Sequence, residues 1–208
     1  MDLLLARHGR TPWNAAGILQ GQTDVPLDDV GRREAQLLAE RLSRVNLERI
    51  VSSGLARADE TAREVARRQR RRVEVQIHEG LRERFFGSWE GLTREQQNAR
   101  DPRWRAVHRA DPRFTPLGPD GETYQHLLDR VSRALHGLLD DAERGPVLVV
   151  THSGVIRALL QAELGMEYPL RFRLDIASGS LTRVGWNQGI EVLYTVNDTS
   201  HLEALPLG

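Results

Sequence analysis

The chain has 208 residues, 39% of them hydrophobic and 28% charged, enough for one sizeable core. Its 29 basic and 29 acidic residues cancel, which argues against bulk attraction to nucleic acid or to an anionic membrane. Every basic residue is Arg, so Schiff-base chemistry and a phosphate-loop lysine are excluded. With no Cys, so are thiolate catalysis, cysteine–zinc sites and disulfides.

The apolar run 3–6 reads as a first strand, followed by a polar, Gly-rich loop through Leu27. Asp28 caps a helix to about 45, with Ala35, Leu38, Leu42 and Val45 on one face. A second strand at 49–52, a helix at 55–69 and a third strand at 73–77 follow. Thr93 and Gln96 have capping-box spacing and open a short helix. Four prolines between 100 and 120 predict irregular structure there. A helix over 123–141, a strand at 146–150, a helix at 155–164 and two late strands at 181–184 and 191–196 complete the chain. Alternating strands and helices predict a three-layer α/β/α sandwich around a mostly parallel sheet, as one domain over 1–208. Residues 90–122 read as a cover inserted over the carboxyl edge of the strands. No signal-peptide or membrane-length run is seen, so the expected location is cytoplasmic. The arginines of 67–72 read as a solvated helix end rather than a nucleic-acid patch.

The chemistry concentrates where strands end. Arg7, His8 and Gly9 follow the first strand; Ser52 to Arg57 follow the second; Leu81 to Glu83 follow the third; Thr151, His152, Ser153 and Gly154 follow the strongest. In a parallel sheet these ends gather on one edge, the usual place for a ligand. Two Arg, two His and one Glu suffice for phosphoryl transfer without a metal. Arg holds the oxygens, one His attacks phosphorus, and Glu protonates the leaving oxygen.

In these segments the chain resembles the histidine phosphatase superfamily, in the branch of cofactor-dependent phosphoglycerate mutases and their phosphatase relatives. Arg7-His8-Gly9 carries the resemblance. Asn14, the 20–27 loop, Ser52-Ser53 through Arg57 with Thr61-Ala62, Leu81-x-Glu83 through Trp89-Glu90-Gly91, Gly121-Glu122-Thr123 and His152-x-Gly154 support it in order. The resemblance implies that His8 is the nucleophile and that Arg7, Arg57 and His152 bind the phosphoryl group. Asn14, Gln20, Thr23 and Ser153 help hold it, and Glu83 is the general acid. Glu90 is the alternative acid, and His108 is a candidate to reach the site from the insertion.

The Glu83-Arg84 start is mutase-like, whereas Trp89-Glu90-Gly91 and the absence of Lys are phosphatase-like. The expected activity is therefore hydrolysis of small phosphomonoesters with no cofactor. A phosphoglycerate mutase, which would need 2,3-bisphosphoglycerate, is the alternative. A non-catalytic phospho-ligand module stands against the intact reacting set. Trp89, Trp104, Phe85 and Phe114 are candidates for a leaving-group pocket, and Arg103, Arg105, Arg109 and Arg113 for selecting an anionic substrate. The expected partner is a small phosphorylated metabolite, with no nucleic acid and no membrane. The sequence sets no oligomeric state.

Overall fold

A computed structural model describes residues 2–140, 145–168, 173–187 and 190–203. Its sheet is built from β1 (Asp2–Arg7), β2 (Arg49–Ser52), β3 (Val75–Ile77), β4 (Val147–Thr151), β5 (Leu181–Asn187) and β6 (Ile190–Asp198), in the order β3-β2-β4-β1-β5-β6. β1, β2, β3 and β4 run parallel, while β5 and β6 form an antiparallel margin on β1.

The alternation of β1 and β4 sets the layers. Leu3, Leu5, Val147 and Val149 face one way, into a core completed by helices α6 (Tyr124–Asp140) and α7 (Ser153–Glu163). Leu4, Ala6, Leu148 and Val150 face the other way, onto α2 (Asp29–Leu42) and α3 (Ala56–Arg68). Both faces are covered, so these strands read as continuous apolar runs. Truncating Leu148, which is fully buried, should cost about 2–5 kcal/mol. The chain is thus the expected three-layer α/β/α sandwich, with a mostly parallel central sheet.

Several boundaries differ from expectation. The polar loop after β1 contains a short helix, α1 (Pro12–Ala15), opened by a Thr11–Asn14 capping box. α2 stops at Leu42, and β3 spans three residues. The 100–120 stretch is not irregular throughout. After α4 (Arg94–Arg100) comes α5 (Pro102–Ala110), with Pro102 in its first turn and Asp101 accepting from the Trp104 N–H. A proline there loses no helical hydrogen bond, so it starts a helix rather than breaking one. The expected end of α6 at 141 lies outside the described residues.

The arginines of 67–72 are largely engaged within the chain. Arg67, Arg68 and Arg72 pair with Glu64, Glu40 and Glu74, and Arg71 donates twice to the Leu47 carbonyl. Among the described residues no helix is long and apolar enough to cross a membrane.

Candidate active site

The ends of β1, β2 and β4 lie side by side, and the loops leaving them converge. The His8 N–H donates to the Thr151 carbonyl at 3.0 Å, and the Gly179 N–H donates to the His8 carbonyl. Close packing requires glycine at position 9. A Cβ there would stand 2.3 Å from the Gly31 carbonyl oxygen at the start of α2. Its N–H donates to Thr61 Oγ1, which in turn donates to the Arg57 carbonyl. The loop is thereby clamped between α2 and α3. Gly54 adopts φ +83, a conformation that favours glycine over proline or any branched residue.

His8 is buried, and its Nδ1 lies 2.7 Å from the Gly9 carbonyl. A carbonyl only accepts, so Nδ1 carries the proton and Nε2 keeps its lone pair. Burial, then the charges of Arg7 and Arg57, hold its pKa well below the usual imidazole range.

The two cations are anchored on carbonyls rather than on carboxylates. Arg57, 1% exposed, donates from Nη1 to the Thr23 carbonyl and from Nη2 to the Gly21 carbonyl. Arg7 donates from Nη1 to the Ile176 carbonyl. Among the described residues neither forms a salt bridge, and the Nε of each is buried with no hydrogen-bond partner.

His152 occupies the N-cap position of α7, fully buried. Its Nε2 is 2.8 Å from Ser53 Oγ, and its Nδ1 is buried and unpartnered. Burial first, then Arg57 and His8, lower its pKa strongly. The His8 and His152 ring centroids are 5.1 Å apart. Arg7 Nε, Arg57 Nε and His152 Nδ1 are thus three orphaned polar atoms on residues that neighbour or act on His8. Each unmade bond costs about 1–3 kcal/mol. A ligand with several acceptor oxygens would satisfy them together.

The cavity at His8 has a volume of about 180 Å³. Besides His8, Arg7 and Arg57 it is lined by Asn14, Gln20, Gly21, Glu83, Phe86 and Ser153. Asn14 Oδ1 accepts from the Thr11 N–H and Gln20 Oε1 from the Thr11 hydroxyl, which leaves their NH₂ groups as donors on the cavity wall. Glu83 Oε1 accepts from the Arg84 N–H at 2.9 Å, and Oε2 from the Gly154 N–H at 3.2 Å. Ser153 makes no cap bond for α7; it is the helix's first residue and lines the cavity. Among the described residues no three His, Asp or Glu side chains stand together as a metal site.

Thr23 is not brought to this cavity. Its N–H and hydroxyl both go to Glu90 Oε2, at 2.9 and 2.6 Å. Gly21 lines the wall instead. Glu90 also leaves the list of acids: Oε1 accepts from the Gln22 and Phe86 N–H groups, so its carboxylate is taken up in bracing the loop. The insertion contributes less than its composition suggested. Trp89 is buried, Trp104 donates to the Pro116 and Leu117 carbonyls, and His108 Nδ1 faces the Thr115 and Pro116 carbonyls. Arg105 contacts Gln97 and the Trp89 ring, and Arg113 contacts Gln125. Phe85 and Phe114 are exposed, and Phe86 faces the cavity.

Sequence reasoning passed over Gly21, Phe86 and Thr11. Thr11 was detectable, since Thr-Pro-x-Asn combines an N-cap hydroxyl with proline in the first turn.

A buried imidazole thus lies beside two guanidiniums at the carboxyl edge of the sheet. Residues 3–199 match the histidine phosphatase superfamily (branch 1), and the chain belongs to that superfamily. A probable phosphoglycerate mutase GpmB of Proteus mirabilis is 34% identical, covering 100% of this chain and 97% of that protein. A glucosyl-3-phosphoglycerate phosphatase of Mycolicibacterium vanbaalenii is 39% identical over 79% of this chain and 74% of its own. A phosphoserine phosphatase from Entamoeba histolytica, solved in complex with 3-phosphoglyceric acid, superposes with a TM-score of 0.85 at 30% identity, covering 97% of this chain and 98% of that one.

Proposed function

We propose that this protein hydrolyses small phosphomonoesters through a phosphohistidine on His8, without a metal ion. The observation that carries the reading is the state of His8: neutral by burial, with Nδ1 tied to Gly9 and Nε2 free. An imidazole in that state is a nucleophile already oriented by its own backbone.

In the first step Nε2 attacks phosphorus and the bond from phosphorus to the ester oxygen breaks. Arg7, Arg57 and the amides of Asn14 and Gln20 hold the phosphoryl oxygens as charge shifts onto them. Ser53 Oγ accepts from the Leu55 N–H, so its own proton is available to His152 Nε2. His152 then presents Nδ1–H to the phosphoryl group. Glu83, at the α7 terminus, gives its proton to the departing oxygen. In the second step Glu83 takes a proton from water as water attacks phosphorus, the bond from phosphorus to Nε2 breaks with its electron pair returning to His8, and phosphate leaves.

A second reading is favoured by the GpmB relative, which spans the whole chain. In a mutase the phosphohistidine returns its group to a second phosphoglycerate rather than to water, and a bisphosphorylated primer is needed. A panel of phosphorylated metabolites, assayed with and without 2,3-bisphosphoglycerate and with a chelator, separates the readings. The phosphatase releases phosphate from several esters regardless of either addition. Isomerisation that depends on the bisphosphate would establish the mutase, and loss of activity in chelator would refute metal independence.

A further inference from the structure

Arg57 is held by two carbonyls, but among the described residues the Arg7 side chain has one hydrogen bond, from Nη1 to the Ile176 carbonyl at 2.7 Å. Whatever fixes that carbonyl therefore decides where the Arg7 guanidinium points. The carbonyl of Ile176 and the N–H of Ala177 belong to one planar peptide group and point in opposite directions. The Ala177 N–H donates to Asn197 Oδ1 at 2.6 Å, so Arg7 and Asn197 grip opposite sides of the same peptide. We propose that Asn197 is a positioning residue for phosphoryl binding, aiming Arg7 through the peptide that joins Ile176 to Ala177. The proposal rests on the assignment of Arg7 to the phosphoryl oxygens above.

Among the described residues Asn197 alone, glycines aside, has a positive φ, at +53. Asn tolerates this left-handed region, which most side chains enter only under strain. The conformation arises at a bulge. Leu181 pairs with Asp198 but Arg183 with Thr195, so β6 carries an extra residue against β5. There the Asn197 N–H donates to Thr182 Oγ1 at 3.2 Å, and the side chain meets the turn at 176–180. That turn is fixed at its other end as well. The Ser180 N–H closes onto the Ala177 carbonyl, and the Ser180 carbonyl accepts from the Arg7 N–H. His201 Nδ1 faces Arg41 Nη1, which only donates, so His201 Nε2 carries the proton and donates to the Gly179 carbonyl at 3.0 Å. Arg41, on α2, also pairs with Asp198. The 197–201 segment is thereby fastened to α2, and Asn197 holds its peptide from a rigid base. Ile176 is fully buried, so water does not compete for its carbonyl. An acceptor on the N–H side also polarises the peptide and strengthens the bond from Arg7 on the other.

The test measures vanadate binding by calorimetry, since vanadate meets the phosphoryl pocket and brings no leaving group. Asn197→Gly removes the accepting oxygen and leaves a backbone that takes positive φ freely. It should weaken binding about tenfold, the scale of one charge-assisted bond. Asn197→Asp keeps an accepting oxygen and should stay within about twofold of the unsubstituted protein. Arg7→Gln should itself bind more weakly. In that background Asn197→Gly should change affinity by less than about twofold, whereas a purely structural loss would add in full. Arg7→Met and Asn197→Ala serve in place of either variant that does not fold. Undiminished binding by folded Asn197→Gly, equal losses with and without Arg7, or an affinity that Arg7→Gln leaves unchanged overturns the proposal. Ester hydrolysis by the unsubstituted protein is scored separately. Coupled losses in binding with no hydrolysis would refute the phosphatase reading and leave the positioning role of Asn197 standing.

Discussion

Arg130 grips Glu122 through two parallel contacts, Nε to Oε1 at 2.9 Å and Nη2 to Oε2 at 2.8 Å. The same guanidinium donates from Nη1 to the carbonyls of Gly80 and Arg82, at 2.8 and 2.9 Å. One side chain on α6 therefore holds the segment that delivers Glu83. The Glu122 carbonyl accepts from Arg84 as well, and its N–H donates to Phe85, so the insertion returns to the sheet at this knot.

Arg130→Ala should lower stability by about 2–3 kcal/mol, since it takes the guanidinium fork from a largely covered carboxylate, which keeps the Phe85 N–H, and the Arg130 donor from two carbonyls. Arg130→Lys should recover little, because a point charge cannot replace the fork. Urea unfolding measures both. If Arg130 positions Glu83, kcat for an alkyl phosphate should also fall more than kcat for p-nitrophenyl phosphate. Equal falls would leave Arg130 a purely structural brace.

Glu90 collects four hydrogen bonds from Gln22, Thr23 and Phe86. It thus orients the Gly21 and Thr23 carbonyls that hold Arg57. Glu90→Gln should weaken inhibition by phosphate and vanadate about tenfold, with little change in the dependence of rate on the leaving group. A strong new leaving-group dependence would return Glu90 to the role of proton donor.

Glu83→Gln removes the proton but keeps the shape. Hydrolysis of alkyl phosphates should drop by about 10²–10⁴, the usual contribution of a general acid. Hydrolysis of p-nitrophenyl phosphate should drop far less, because nitrophenolate leaves without protonation. Parallel losses on both substrates would place the acid elsewhere.

His8 and His152 are both buried with lowered pKa values. Below the ordinary imidazole pKa of about 6.5, the unfolded chain takes up protons that the fold refuses. The unfolded state then binds more protons, and stability falls as pH falls, by up to about 1.4 kcal/mol per pH unit for each group. Unfolding free energies between pH 7 and pH 5 should show this slope, and it should flatten in His152→Gln. The acid limb of kcat/KM should lie below pH 6.5, because His8 stays neutral there. A limb at or above the free imidazole value would contradict the assigned state of His8.

The sheet was legible because its two central strands are buried on both faces, and such strands announce themselves as apolar runs at 3–6 and 147–150. The strand-end residues were legible for a related reason: once the strands are parallel, Arg7, His8, Arg57 and His152 have only one edge to share. Residues whose partners are remote in sequence were not. Nothing local distinguishes Glu90, which braces the 20–24 loop, from Glu83, which faces the His8 cavity, although they lie seven positions apart. Thr23 was misplaced for the same reason. The four prolines of 100–120 misled because the meaning of a proline depends on its position. Pro102 follows a capping Asp101 and begins α5.

His8 should become covalently phosphorylated during turnover. Quenching the protein in alkali during steady-state hydrolysis of a phosphorus-labelled ester, followed by peptide mapping, tests it directly. A base-stable, acid-labile phosphoryl group should appear on the peptide containing His8, form and decay at rates that match turnover, and be absent from His8→Ala. Phosphate release at an undiminished rate with no label on that peptide, or substantial turnover by a folded His8→Ala variant, would contradict it.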